Sequence, residues 1–135
     1  MFALKPVSRA VALGAILAVG LATTAVADTL LGGYWAYIGR ADLFNSNGQR
    51  LSTAAQVLQQ DRANLHRFGI SQNGDEWDPY FTTYDTRSAI ARLVRQGSIG
   101  PRARNVLRSG GGTVYVKVFG NNNGALTRVR VTLSP

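Results

Sequence analysis

The sequence predicts a small single domain of the α+β class, in which an antiparallel sheet (a C-terminal hairpin plus an N-terminal strand) packs against three or four helices. Three observations lead there. Val114, Val116 and Val118 alternate with other residues, Val129, Val131 and Leu133 do the same, and Asn123-Gly124 lies between the two runs. Two stretches, Ala54 to Phe68 and Thr86 to Gln96, carry apolar residues at helical spacing behind start signals. Tyr34-Trp35-Ala36-Tyr37-Ile38, between Gly33 and Gly39, has the aromatic content of a short strand.

Residues 1–27 stand apart from that domain and read as a secretory signal peptide. Lys5 and Arg9 give a positive start, Ala10 to Leu21 is a run of apolar and small residues, and Ala25-Val26-Ala27 offers the small side chains that a signal peptidase accepts. The run is short for a membrane anchor and fades into Thr23 and Thr24. Cleavage leaves residues 28–135 as one domain with a periplasmic or secreted location and no membrane span. With no cysteine in the chain, disulfides, lipid-modified cysteines, thiolate metal centres and thiol nucleophiles are all excluded.

The remaining elements follow in order. Asn45-Ser46-Asn47-Gly48 is turn chemistry. Thr53 and Gln56 have capping-box spacing at the head of the first helix, and Gly69 is its stop. At about 100° per residue, Ala54, Val57, Leu58, Leu65 and Phe68 form one stripe. Asp78-Pro79 suits a short helical turn through Tyr84, and Asp85 is placed to cap the helix Thr86 to Gln96. That helix divides into an apolar arc of Ala89, Ile90, Leu93 and Val94 and a basic arc of Arg87, Arg92 and Arg95. Pro101 opens a last helix through Arg108, which the glycines Gly110 to Gly112 end. A two-residue type I′ turn at Asn123-Gly124 pairs Val118 with Val129, Val116 with Val131 and Val114 with Leu133. A slip of one residue would turn Arg128 and Arg130 into the core, so the pattern specifies its own register.

Charge distribution is the main functional signal. Residues 28–85 hold seven acids and four arginines, whereas residues 86–135 hold eight arginines, Lys117 and no acid. Such asymmetry points to an anionic partner: an envelope polymer, a nucleic acid or an acidic protein. The hairpin register puts Tyr115, Lys117 and Phe119 opposite Thr132, Arg130 and Arg128 on the face away from the valines. Tyr115, Lys117, Arg128 and Arg130, with Arg92 and Arg95, are therefore the candidate contacts of a non-enzymatic binding protein.

Two alternatives remain. A small hydrolase-like enzyme would place its site around Asp61, Arg62 and His66. Asp61 falls inside the apolar stripe, where a carboxylate needs a partner, and Arg40 or Arg50 is within reach as that partner. His66 is about 140° from Asp61 round the helix, so the two do not form an orienting dyad. The other alternative is an accessory subunit or inhibitor using Trp35, Tyr37 or Trp77 as hydrophobic anchors. Asp75, Glu76 and Asp78 cluster in a turn-like segment without the spacing of a calcium loop, so no metal or cofactor is expected.

Overall fold

The computed structural model describes residues 28–135, together with 3, 14–16 and 18–21. The expected leader and its cut after Ala27 otherwise lie outside the described residues. Strand β1 (Thr29–Ile38) begins the domain and is followed by α1 (Ala54–His66), α2 (Tyr84–Ser88), α3 (Ile90–Gln96), β2 (Ser98–Ile99), α4 (Pro101–Ser109), β3 (Gly112–Gly120) and β4 (Leu126–Thr132). The four strands form one sheet in the order β1-β3-β4-β2. β1 and β4 pair antiparallel to β3, and β2 is a short parallel strand on the outer edge of β4.

The valine alternation sets the core. Val114, Val116, Val118, Val129 and Val131 are buried with Tyr34, Ala36 and Ile38 from β1 on one face of the sheet. Against that face pack Leu58 of α1, Ile90 and Leu93 of α3, and Leu107 of α4. All the helices therefore lie on one side. Among the described residues none is long and apolar enough to cross a membrane.

The hairpin register is the expected one: Val118 pairs with Val129, Val116 with Val131, Lys117 with Arg130, Phe119 with Arg128 and Tyr115 with Thr132. The turn differs. Among the described residues no non-glycine residue has positive φ, which rules out type I′ at Asn123, and of the turn residues only Gly124, at φ 76°, takes the left-handed conformation. Asn121 accepts the amide of Gly124 on its carbonyl (3.0 Å), and its side-chain oxygen accepts from Asn123 and Ala125. A longer loop is offset by a register shift at Phe119/Gly120, so the pairing below it is preserved. Leu133 lies past the end of β4 and is 38% exposed, so its expected partnership with Val114 does not form.

Helix α1 starts as the sequence requires, with Thr53 and Gln56 capping reciprocally at 3.2 Å. It ends at His66, two residues short of the expected end, and Phe68 is exposed. In its second half the buried residues are Asp61, Arg62 and Asn64, which replace Leu65 and Phe68 as the inward face. Asn64 reaches the 3-10 turn Arg40–Leu43, donating to Asp42 Oδ1 at 2.9 Å.

The expected helix from Thr86 to Gln96 is two helices, α2 and α3, broken at Ala89. Thr83 caps α2, where Asp85 was expected to. The break resets the helical phase, and Arg87 is buried instead of sharing an exposed arc with Arg92 and Arg95. Asp78 accepts the amides of Tyr80 (2.9 Å) and Phe81 (2.8 Å), but no helix follows it. Proline at 79 and the wholly buried Phe81 form a bend that seats the Phe81 ring against Tyr34, 6.1 Å between centroids.

Gly97 joins α3 to β2 under a close constraint, because a Cβ there would lie 1.7 Å from the carbonyl oxygen of Val129. The obstacle is backbone of the sheet and cannot rotate away. Gly97→Ala is expected to lower stability by about 3 kcal/mol, the upper range for overpacking. Urea denaturation measures this, and an unchanged midpoint would mean that α3 does not sit on β4 as described.

Candidate functional site: an open sheet face above a buried arginine

Because the helices occupy one face of the sheet, the residues between the buried valines form a second face with no helix on it. Its side chains fall into rows across β1, β3 and β4. Trp35, Tyr115 and Thr132 make one row. Gly33, Lys117 and Arg130 make the next, which Ser98 of β2 extends. Phe119 and Arg128 make a third. The cationic row thus runs between two rows that contain aromatic rings.

Local contacts hold these rings in place. Tyr115 meets Trp35 edge to face with centroids 5.0 Å apart. Its hydroxyl lies over Gly33, where a Cβ would sit only 2.5 Å from it, so any larger residue at 33 would displace the ring. Arg128 stacks on Phe119 with its guanidinium carbon 3.6 Å from the ring centroid, and it pairs with Asp28 at 2.8 Å. Among the described residues Lys117 and Arg130 have no ion-pair partner.

Of the residues singled out in the sequence, the open face brings together Tyr115, Lys117, Arg128 and Arg130. Arg92 and Arg95 project from α3, which packs on the opposite side of β4, so they do not extend the same patch. Trp35 and Tyr37, proposed separately as hydrophobic anchors, share the face with the cations. Period-two alternation with Tyr34, Ala36 and Ile38 was the available signal, but it needs the strand pairing before it names a common surface. Trp77 is exposed beside His66, 6.0 Å between ring centroids.

The second candidate group, Asp61, Arg62 and His66, is also brought together, beneath the β1 edge. Arg62 is fully buried. Its Nε donates to Asp61 Oδ2 at 2.7 Å, and its Nη1 donates to Asp78 Oδ1 at 2.8 Å and to the Glu76 carbonyl at 3.0 Å. Asp75 lies 3.8 Å from Nη2, and the guanidinium carbon sits 4.3 Å from the centroid of the Tyr34 ring. Asp61 is therefore paired with its chain neighbour, while Arg40 and Arg50 lie over Phe44. His66 Nε2 is 2.8 Å from the same Asp78 oxygen that holds Arg62, a link that the helix spacing gave no hint of.

The acidic turn is a clasp. Asp75 accepts from the amides of Tyr37 (2.8 Å) and Gln72 (2.9 Å), and Glu76 accepts from the amide of Trp35 at 3.0 Å. These bonds satisfy two outward amides of β1, an edge strand that would otherwise present a free ladder there. Among the described residues no group of acids and histidine is arranged to hold a metal ion.

Around Arg62 the carboxylates outnumber the cations, and burial acts on that imbalance. Burial pushes Asp61 up to about 7 against the attraction of Arg62. Its Oδ1 has no hydrogen-bond partner, so the ionised form is poorly accommodated. Burial also raises Asp42, and the amide of Gly39 and the side chain of Asn64 only partly oppose it. Burial acts upward on Asp78 too, but hydrogen bonds from Arg62 and His66 outweigh it and hold this carboxyl below its ordinary value. This arrangement joins α1, the acidic turn and β1. Three surface clefts of about 330, 250 and 310 Å³ lie elsewhere, and none is lined by Asp61, Arg62 or His66.

No family model, curated protein or solved structure matches this chain.

The buried network predicts a particular dependence on pH. In the folded state Asp61 holds its proton up to about 7, against 3.8 for a free carboxyl, so its contribution to stability is full below 3.8 and is lost as pH rises through 7. Asp78 works in the opposite direction and weakens the fold only in stronger acid. Asp61→Asn, which still accepts from Arg62, is expected to abolish the loss of stability on going from mildly acidic to neutral pH. Arg62→Met leaves the carboxylates without their cation and is expected to cost about 3 to 5 kcal/mol. Thermal melts across the pH range measure both. A wild-type profile flat from pH 4 to pH 8 would place Asp61 outside the network's proton balance.

Proposed function

We propose that this is an exported, non-catalytic binding protein that holds an anionic polymer on the open face of its sheet. One observation carries the reading: the row of Lys117 and Arg130, without carboxylate partners, runs between the Trp35–Tyr115 row and the Phe119–Arg128 row. Directly opposed like charges cost several tenths of a kcal/mol. A phosphate, sulfate or carboxylate bridging the two side chains would reverse that cost, and the flanking rings supply stacking surface for the polymer's own rings. The acid-free stretch 86–135 supplies both hairpin cations. Export belongs to the same reading and rests on the tripartite segment 1–27.

Titration with heparin, DNA and lipopolysaccharide at several salt concentrations tests the partner class. Affinity for at least one is expected to fall steeply with salt, because each neutralised polymer charge releases a counterion. Lys117→Ser with Arg130→Ser should flatten that slope by about two counterions. Arg128→Ser should change it less, since Arg128 already has Asp28. Trp35→Ala should weaken binding with little change in the slope, by about 1 to 3 kcal/mol if a ring stacks there. Absence of binding to all three polymers at low salt would overturn the reading. For the export step, mass spectrometry of the protein from its native host should find Asp28 as the first residue; an intact Met1 terminus would reject cleavage.

A further inference from the structure

The second buried arginine, Arg87, is in a quite different position from Arg62. It is only 6% exposed, yet among the described residues no carboxylate lies within ion-pair distance of it. The one hydrogen bond its guanidinium makes is from Nη1 to the Phe81 carbonyl, at 3.1 Å. A buried guanidinium without a counter-charge is unfavourable unless something supplies one. Arg87 lines the cleft of about 330 Å³ between α1 and α2, on the helical side of the molecule and away from the open sheet face.

The rest of that wall suits an anion. Arg67 brings a second positive charge, Gln59 and Tyr84 bring polar groups, and no acid takes part in the lining. Phe68, 45% exposed and with Arg67 stacked 4.9 Å from its ring centroid, forms the apolar side. Phe68 also lines the neighbouring cleft of about 310 Å³, whose wall includes Phe44 and Ile70. Ser46 and Gln60 are shared by the two clefts as well, so the two lie side by side. The first cleft alone, at about 330 Å³, is within the size range of small-molecule sites.

We propose that this cleft binds a small organic anion, with its carboxylate or phosphate against Arg87 and Arg67 and its apolar body lying along Phe68 toward Phe44 and Ile70. The ligand completes the charge balance that the fold leaves open at Arg87. This site is independent of the polymer-binding face and stands whether or not that reading holds.

Calorimetric titration and NMR shift mapping of the purified protein, with octanoate, phenyl phosphate and inorganic phosphate as probes, test the proposal. Octanoate or phenyl phosphate should bind saturably in the millimolar range or tighter, shift the signals of Arg87, Phe68 and Tyr84, and raise the melting temperature. Arg87→Met removes an unpaired charge and with it the hydrogen bond to the Phe81 carbonyl, so the free protein should remain folded with its stability little changed, while affinity falls roughly tenfold or more. Arg67→Gln, at an exposed position that does not endanger folding, should weaken binding several-fold. The Lys117→Ser, Arg130→Ser double variant should bind these probes as the wild type does. Failure of both organic probes to bind, shifts confined to the open sheet face, or undiminished binding by Arg87→Met and Arg67→Gln would overturn the site. Inorganic phosphate binding as tightly as phenyl phosphate would overturn the organic-anion class.

Discussion

Arg62 ties three separate parts of the chain together: β1, α1 and the acidic turn. Its guanidinium lies against the Tyr34 ring of β1, takes Asp61 from its own helix and Asp78 from the acidic turn, and donates to the Glu76 carbonyl. The turn so held then presents Asp75 and Glu76 to the edge amides of β1. One buried cation thus fixes the distance between α1 and the sheet and also closes the sheet's exposed edge. Buried ion pairs rarely stabilise more than a well-packed apolar group would, but they are unforgiving of rearrangement. Here that property matters: the aromatic rows of the open face start from β1, and β1 is held in place from beneath by Arg62.

The cluster has more negative groups than it can neutralise, and the proton on Asp61 is part of its construction. A carboxyl raised to about 7 by burial makes the interior sensitive to pH between mildly acidic and neutral conditions.

Much of the fold was legible in the sequence because it rests on local rules. The hairpin register follows from the alternation of valines with Lys117, Arg128 and Arg130, and it survives an unforeseen turn because a register shift compensates for the longer loop. The capping pair Thr53 and Gln56 fixed the start of α1 for the same reason. What escaped was tertiary. Strand β2 has only two residues and no period to read. The break at Ala89 turned Arg87 inward, and an apolar-arc count over Thr86 to Gln96 cannot detect a change of phase. At the candidate site, Asp61 was recognised as buried, but its partner was sought in loops when it was the adjacent residue. The meeting of His66 and Arg62 on Asp78 joins residues 12 and 16 positions apart through an irregular turn that carries no pattern of its own.

The pairing of β1 with β3 has a consequence for how the chain reaches its native state. Thr29 lies beside Gly120, 91 positions later, and β3 is the central strand on which both β1 and β4 depend. Strand β1, made first, therefore has no partner strand to dock on until β3 has followed. Closing a loop of that length carries an entropic cost that only late contacts repay, which makes folding slow and all-or-none rather than progressive. A chain built this way stays open until its central strand is complete and then commits to its shape in a single step.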